Sequence, residues 1–104
     1  MVLYVLKWDV LPEKIETYLE FTKLAIQRTL AVPGVVEFRG YRQAAGDSRV
    51  VVTYEFADIA AWATWFANED CQKVLDELWT YTSKLTTELW GASPVVPTPI
   101  RPGG

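Results

Sequence analysis

Three segments of this chain carry apolar residues at every second position, and that pattern demands a sheet with one apolar face and one mixed face. In residues 2–10, Val2, Tyr4, Leu6, Trp8 and Val10 share one side, while Leu3, Val5, Lys7 and Asp9 share the other. Residues 35–44 set Val36 and Phe38 against Glu37, Arg39 and Tyr41. Residues 49–56 set Val50, Val52, Tyr54 and Phe56 against Val51 and Glu55. The first face is so uniformly apolar that helices must cover it. The second mixes Leu3, Val5, Val35, Tyr41 and Val51 with Lys7, Asp9, Glu37, Arg39 and Glu55. Such a face is unusually apolar for open water and too charged for a monomer core. It suits packing against a second copy of the chain, with charges pairing across the interface. One alternative is a solvated open sheet whose valines reflect strand propensity alone.

Between and after these segments the spacing becomes helical. Pro12 suits a first helical turn, and the helix is predicted to run to about Ala31. Its apolar stripe reads Ile15, Tyr18, Leu19, Thr22, Ile26, Thr29 and Leu30. Pro33-Gly34 stops it. Ala45-Gly46-Asp47-Ser48 reads as the hairpin joint between the second and third strands. Asp58 is expected to cap a helix through Ala67, and Asn68-Glu69-Asp70 marks a break. A last helix is predicted from Cys71 to about Leu89, with Val74, Leu75, Leu78 and Leu85 inward. The order is β-α-β-β-α-α, one α+β domain over residues 1–92. Residues 93–104 hold four prolines and two glycines, which exclude a helix interior or a central strand. They are expected as a tail, as an edge strand near Val95-Val96, or as an extended arm laid over a partner subunit.

Charge and cysteine use exclude several roles. The 104 residues carry a formal net charge of −3 with no Lys/Arg block, which argues against nucleic-acid and membrane partners. The apolar run from Val2 to Leu6 is cut by Lys7 and Asp9, too early for a signal core or a membrane span. Cys71 is the single cysteine and cannot form an internal disulfide, so a cytoplasmic location is expected. It reads as a buried, inert thiol. There is no histidine, no metal-ligand spacing, no glycine-rich phosphate loop and no G-x-S-x-G elbow. No metal or cofactor is expected, and any acid–base role falls to a carboxylate, a lysine or a tyrosine.

Leu30-Ala31-Val32-Pro33-Gly34 followed by Tyr41 resembles the helix-to-strand turn of the antibiotic biosynthesis monooxygenase-like proteins. Tyr54-Glu55-Phe56-Ala57-Asp58 is similar to the end of their third strand, and Asn68 to Leu75 to the entry of their last helix. The resemblance spans about residues 2–90. It implies a ferredoxin-like antiparallel sheet with helices on one face, two of which pair into a dimeric α/β barrel. It also implies a small-molecule enzyme of the cofactor-independent monooxygenase kind, acting on flat aromatic substrates. The best-known pattern of that kind has Asn on strand three, four residues before a Trp, and here Val52 and Phe56 stand there. Haem-degrading relatives need a histidine near Leu75, which this chain lacks.

Fourteen aromatic residues remain to be placed. Trp8, Tyr54, Phe56, Trp62, Phe66 and Trp79 are expected either to fill the core or to line a cleft between sheet and helices. Tyr4, Tyr54, Tyr81 and Arg42 are the polar groups suited to orient a ligand there. Two functions fit: a homodimeric enzyme for an aromatic small molecule, and a non-catalytic homodimer that binds one.

Overall fold

Val2–Val10 forms β1, and a 3-10 turn at Pro12–Lys14 leads into α1, Ile15–Ala31. These elements come from a computed structural model that describes residues 1–46 and 49–103. Val35–Arg42 is β2, Val50–Phe56 β3, Ile59–Phe66 α2, Glu69–Tyr81 α3 and Thr82–Trp90 β4. The four strands make one antiparallel sheet in the order β2-β3-β1-β4. The fold is α+β and ferredoxin-like, as expected. Of the hairpin joint, Ala45 and Gly46 lie in a bend, while Asp47 and Ser48 lie outside the described residues.

Local chemistry sets the boundaries. Gly34 turns the chain out of α1 at φ 124°, a conformation that disfavours any side chain. Asp58 caps α2 by accepting from the Ala61 N–H at 2.8 Å. Asn68 caps α3 by accepting from the N–H groups of Asp70 and Cys71. Tyr4, Leu6, Trp8, Tyr54 and Phe56 are buried on the helix side, packed with Trp65, Cys71, Val74 and Leu78.

The last helix is shorter than its spacing suggests. It ends at Tyr81, and Thr82–Trp90 is the fourth strand. The Thr82 hydroxyl donates to the Leu78 carbonyl at 3.0 Å, sealing the helix end as the backbone turns extended. The strand then pairs the free edge of β1, whose backbone groups would otherwise lack partners. A bulge opposite Trp8 places Lys84 at φ 56° and brings both Thr82 and Leu85 inward. Inward residues three apart copy helical spacing, and Leu78, Thr82 and Leu85 therefore read as one helix face. The edge expected near Val95-Val96 belongs to this strand instead, and Val95 is 88% exposed.

Two faces also differ from their pattern. A register shift between Val35 and Glu37 turns Val35 toward the core and leaves Val36 61% exposed. On α1 the buried residues are Tyr18, Phe21 and Thr29, while Ile15, Leu19, Ile26 and Leu30 stay exposed. At 3.6 residues per turn that second stripe lies about 100° round the helix from the first. Part of it borders a cavity instead of closing it.

Candidate functional site

The cavity lies between α1 and the helix-side face of the sheet. It measures about 310 Å³. Leu6 and Trp8 of β1, Phe38 and Gly40 of β2, and Val50, Val52 and Tyr54 of β3 supply its sheet wall. Tyr18, Leu19, Phe21, Thr22, Ala25, Ile26 and Thr29 of α1 face them, and Trp65, Val74, Leu75 and Leu78 complete the lining. Gly40 contributes room, since a Cβ there would meet nothing within 4 Å.

Hydroxyls and the indole N–H groups of Trp8 and Trp65 are the polar side-chain groups of this lining, and each has a defined place. The Thr29 hydroxyl donates to the Ala25 carbonyl at 2.8 Å, as threonines in helices do. Tyr54, 3.0 Å from the same oxygen, therefore donates to it and keeps its own oxygen free to accept. Burial pushes the Tyr54 phenol up to about 12, and the Thr29 contact offsets only part of that. Tyr18 has the opposite polarity. Its oxygen accepts from Trp8 Nε1–H at 3.1 Å, so its O–H is left to donate. Burial raises its pKa as well, against the opposing effect of Trp8. The site thus offers one phenol that donates and one that accepts, both neutral at physiological pH.

The aromatic residues singled out in the sequence divide among several places. Trp8 and Tyr54 line the cavity. Tyr81 stands one layer behind it, stacked on Phe21 at 4.9 Å and edge-on to Tyr18. Phe56 is fully buried against Trp65. Trp62 stacks on Phe66 and tilts against Tyr4, with its buried Nε1–H unpartnered. Burial raises the Tyr4 hydroxyl, and a hydrogen bond to Thr87 opposes this. Trp79 is 57% exposed on α3. Arg42 ends β2, exposed, opposite Val50. In the sequence, Tyr18 and Thr29 stand out only as members of the apolar stripe of α1. Their separation of about three helical turns places both on one line along the cavity.

The open face of the sheet carries its charges in local pairs. Lys7 Nζ lies 3.6 Å from Glu88 and over the Trp90 ring, and Arg39 pairs with Glu37. Among the described residues, no helix is long and apolar enough to cross a membrane. Cys71 is fully buried, and burial, helped by Asp70, pushes its thiol up to about 11.

Solved structures share this architecture. A crystal structure of an antibiotic biosynthesis monooxygenase matches at TM-score 0.73 and 19% identity, covering 90% of this chain and all of the other. SnoaB, a cofactor-independent oxygenase from Streptomyces nogalater, matches in a mutant form at TM-score 0.72 and 18% identity, covering 93% of this chain and 97% of its own. A dabb family protein with a ferredoxin-like fold from Mesorhizobium loti matches at 0.72 and 20%, over 86% and 93% of the two chains. At these identities the likeness is one of fold. No curated protein sequence matches the chain. The family model for antibiotic biosynthesis monooxygenase, however, matches residues 1–77, well over half of the length, and the chain belongs to that family.

Proposed function

We propose that this protein takes a flat aromatic small molecule into the cavity beneath α1 and oxygenates it, as the cofactor-independent monooxygenases do. The cavity carries the reading: it is almost wholly apolar, and the phenols of Tyr18 and Tyr54 are its paired polar points. Its volume of about 310 Å³ lies at the small end of the roughly 300–1,000 Å³ usual for ligand sites, which suits two or three fused rings. Tyr18 donates to a carbonyl or phenolate oxygen of the ligand, and Tyr54 accepts from a ligand hydroxyl. Neither phenol serves as a base at neutral pH. Their work is to orient the ring system and to stabilise negative charge on its oxygen.

An electron-rich aromatic anion can itself reduce dioxygen. A ring methylene and dioxygen then become a ketone and water. Two C–H bonds break, a C=O bond forms, and the second oxygen atom leaves with both hydrogens. The protein works as a homodimer in the cytoplasm, joined through the open sheet face where Leu3, Tyr41 and Trp90 lie beside the charged pairs. Residues 1–92 form each half of the barrel, and residues 93–104 an arm.

A second reading is a binding protein without turnover. It is favoured by the cavity lining, which holds no carboxylate, lysine or arginine. Val52 and Phe56, standing where the best-known pattern has Asn and Trp, favour it too. Incubation with anthrone separates the readings. Oxygen uptake with equimolar anthraquinone supports the oxygenase, saturable binding without uptake supports the binder, and no binding at all overturns the cavity reading.

A further inference from the structure

Resting on the reading that the cavity holds a flat aromatic molecule, we propose that this molecule is an aromatic carboxylic acid, its rings under α1 and its carboxylate at the mouth between Arg42 and Arg49. A second hollow, of about 670 Å³, adjoins the first and is lined in part by Asp9, Arg49 and Ser83. Tyr18, Leu19 and Val50 line both, so an apolar inner hollow and a more polar outer one meet at these three side chains. Arg42 is the cross-strand partner of Val50 and projects from the same side of the sheet. Val50 is thus flanked by a guanidinium on its own strand's approach and by another across the ladder.

Arg39 is engaged by Glu37, Lys7 by Glu88, and Lys14 by the Thr80 carbonyl. Arg42 and Arg49 are exposed, and neither guanidinium has an ion pair or hydrogen bond among the described residues. One carboxylate shares the outer hollow. Asp9 Oδ1 accepts from the backbone N–H of Arg49 at 3.0 Å, which ties it to the strand. Within the outer hollow the Arg49 guanidinium stands beside the one carboxylate of Asp9, and Arg42, which lines neither hollow, brings a second guanidinium from across the ladder beside Val50. A guanidinium matches a carboxylate in planar, two-point geometry. Placing the ligand's charge outside and its rings inside also avoids burying an unpaired ion.

Titration calorimetry with 2-naphthoic acid and its neutral isostere 2-naphthamide tests this at neutral pH and low salt. The acid should bind about tenfold more tightly, the scale expected for one charge-assisted contact at a partly exposed site. The preference should vanish in Arg42→Gln/Arg49→Gln and shrink as salt is raised, while amide binding stays unchanged as the control for an intact cavity. Arg49→Lys should retain part of it. Equal binding of the two ligands, or a preference that survives the double substitution, overturns the carboxylate proposal and leaves the aromatic cavity standing. If neither ligand binds, the cavity reading itself fails and this inference falls with it.

Discussion

Trp8 Nε1–H donates to the Tyr18 hydroxyl across 3.1 Å, tying β1 to α1 where the aromatic cavity meets its outer hollow. Tyr18→Phe removes the acceptor and leaves a buried indole N–H unpaired, at a cost of about 1–3 kcal/mol. Thermal melts should show a loss of several degrees. Calorimetry should show a larger loss of affinity, relative to wild type, for naphthol-type ligands than for plain naphthalene-type ones, because only the former use the lost donor.

Alkaline pH should weaken the fold in a defined window. Tyr54 is raised from 10.0 to about 12 and Cys71 from 9.0 to about 11, chiefly by burial. For an acid whose pKa is raised on folding, the unfolded chain releases its proton first. The stabilisation is therefore complete below about pH 9 and declines as pH rises toward about 12. Melting temperatures should be level up to about pH 9 and fall beyond it, and Tyr54→Phe with Cys71→Ala should flatten that slope. A wild-type slope unchanged in the double variant would assign the alkaline loss to other groups.

Gly40→Leu should separate folding from binding. Position 40 pairs with Val52 on the helix side and opens onto the cavity. A leucine there projects into empty space, improves strand propensity and buries apolar surface, so the melting temperature should hold or rise. Ligand binding in the cavity should be lost. Retained binding would place the ligand elsewhere.

Lys84 sits at φ 56° in the β4 bulge, a conformation that costs a side chain roughly 1–2 kcal/mol. Glycine removes the strain but gives back about 0.5–1 kcal/mol through unfolded-chain entropy. Lys84→Gly should therefore stabilise slightly, and Lys84→Val, β-branched at positive φ, should destabilise. Denaturant midpoints in the order Gly, Lys, Val would bear out the bulge.

Truncation tests the arm. Val95 and Ile100 are largely exposed in the single chain, and Val96 lies in a hollow with Met1, Leu3 and Trp90 at one end of the open sheet face. Deleting residues 94–104 should raise the dissociation constant of the proposed dimer or lower the protein's melting temperature, since each buried apolar side chain contributes about 1.5–3 kcal/mol. Sedimentation and melts unchanged by the deletion would make the tail a passive terminus.

Strand content and the apolar sheet face were legible because alternation in β1 and β3 is uninterrupted. What escaped lies where one extra residue breaks a period. The bulge at Val36 moved Val35 to the core, and the one at Lys84 disguised a strand as the continuation of a helix. The cavity was half legible. Trp8 and Tyr54 stood out as aromatics on the right face, but Tyr18 and Thr29 gain their meaning only from partners far along the chain, Trp8, Tyr54 and Trp65. Spacing cannot reveal such pairings. Nor could it show that α1 leaves Leu19 and Ile26 at a rim, because a helix stripe is read as core wherever its true tilt is unknown.

Thr29 joins three elements at one residue: its hydroxyl binds the Ala25 carbonyl and Tyr54, and its carbonyl takes the Trp65 indole N–H at 2.9 Å. The inner wall of the cavity is therefore stiff, because moving it breaks bonds to α1, β3 and α2 together. The outer rim, formed by Leu19 and Ile26 in van der Waals contact alone, can yield rotamer by rotamer. A guest is judged strictly at its leading edge and leniently at its trailing one. Analogues that differ at the inner ring should be sorted sharply, while bulk added at the entrance is tolerated.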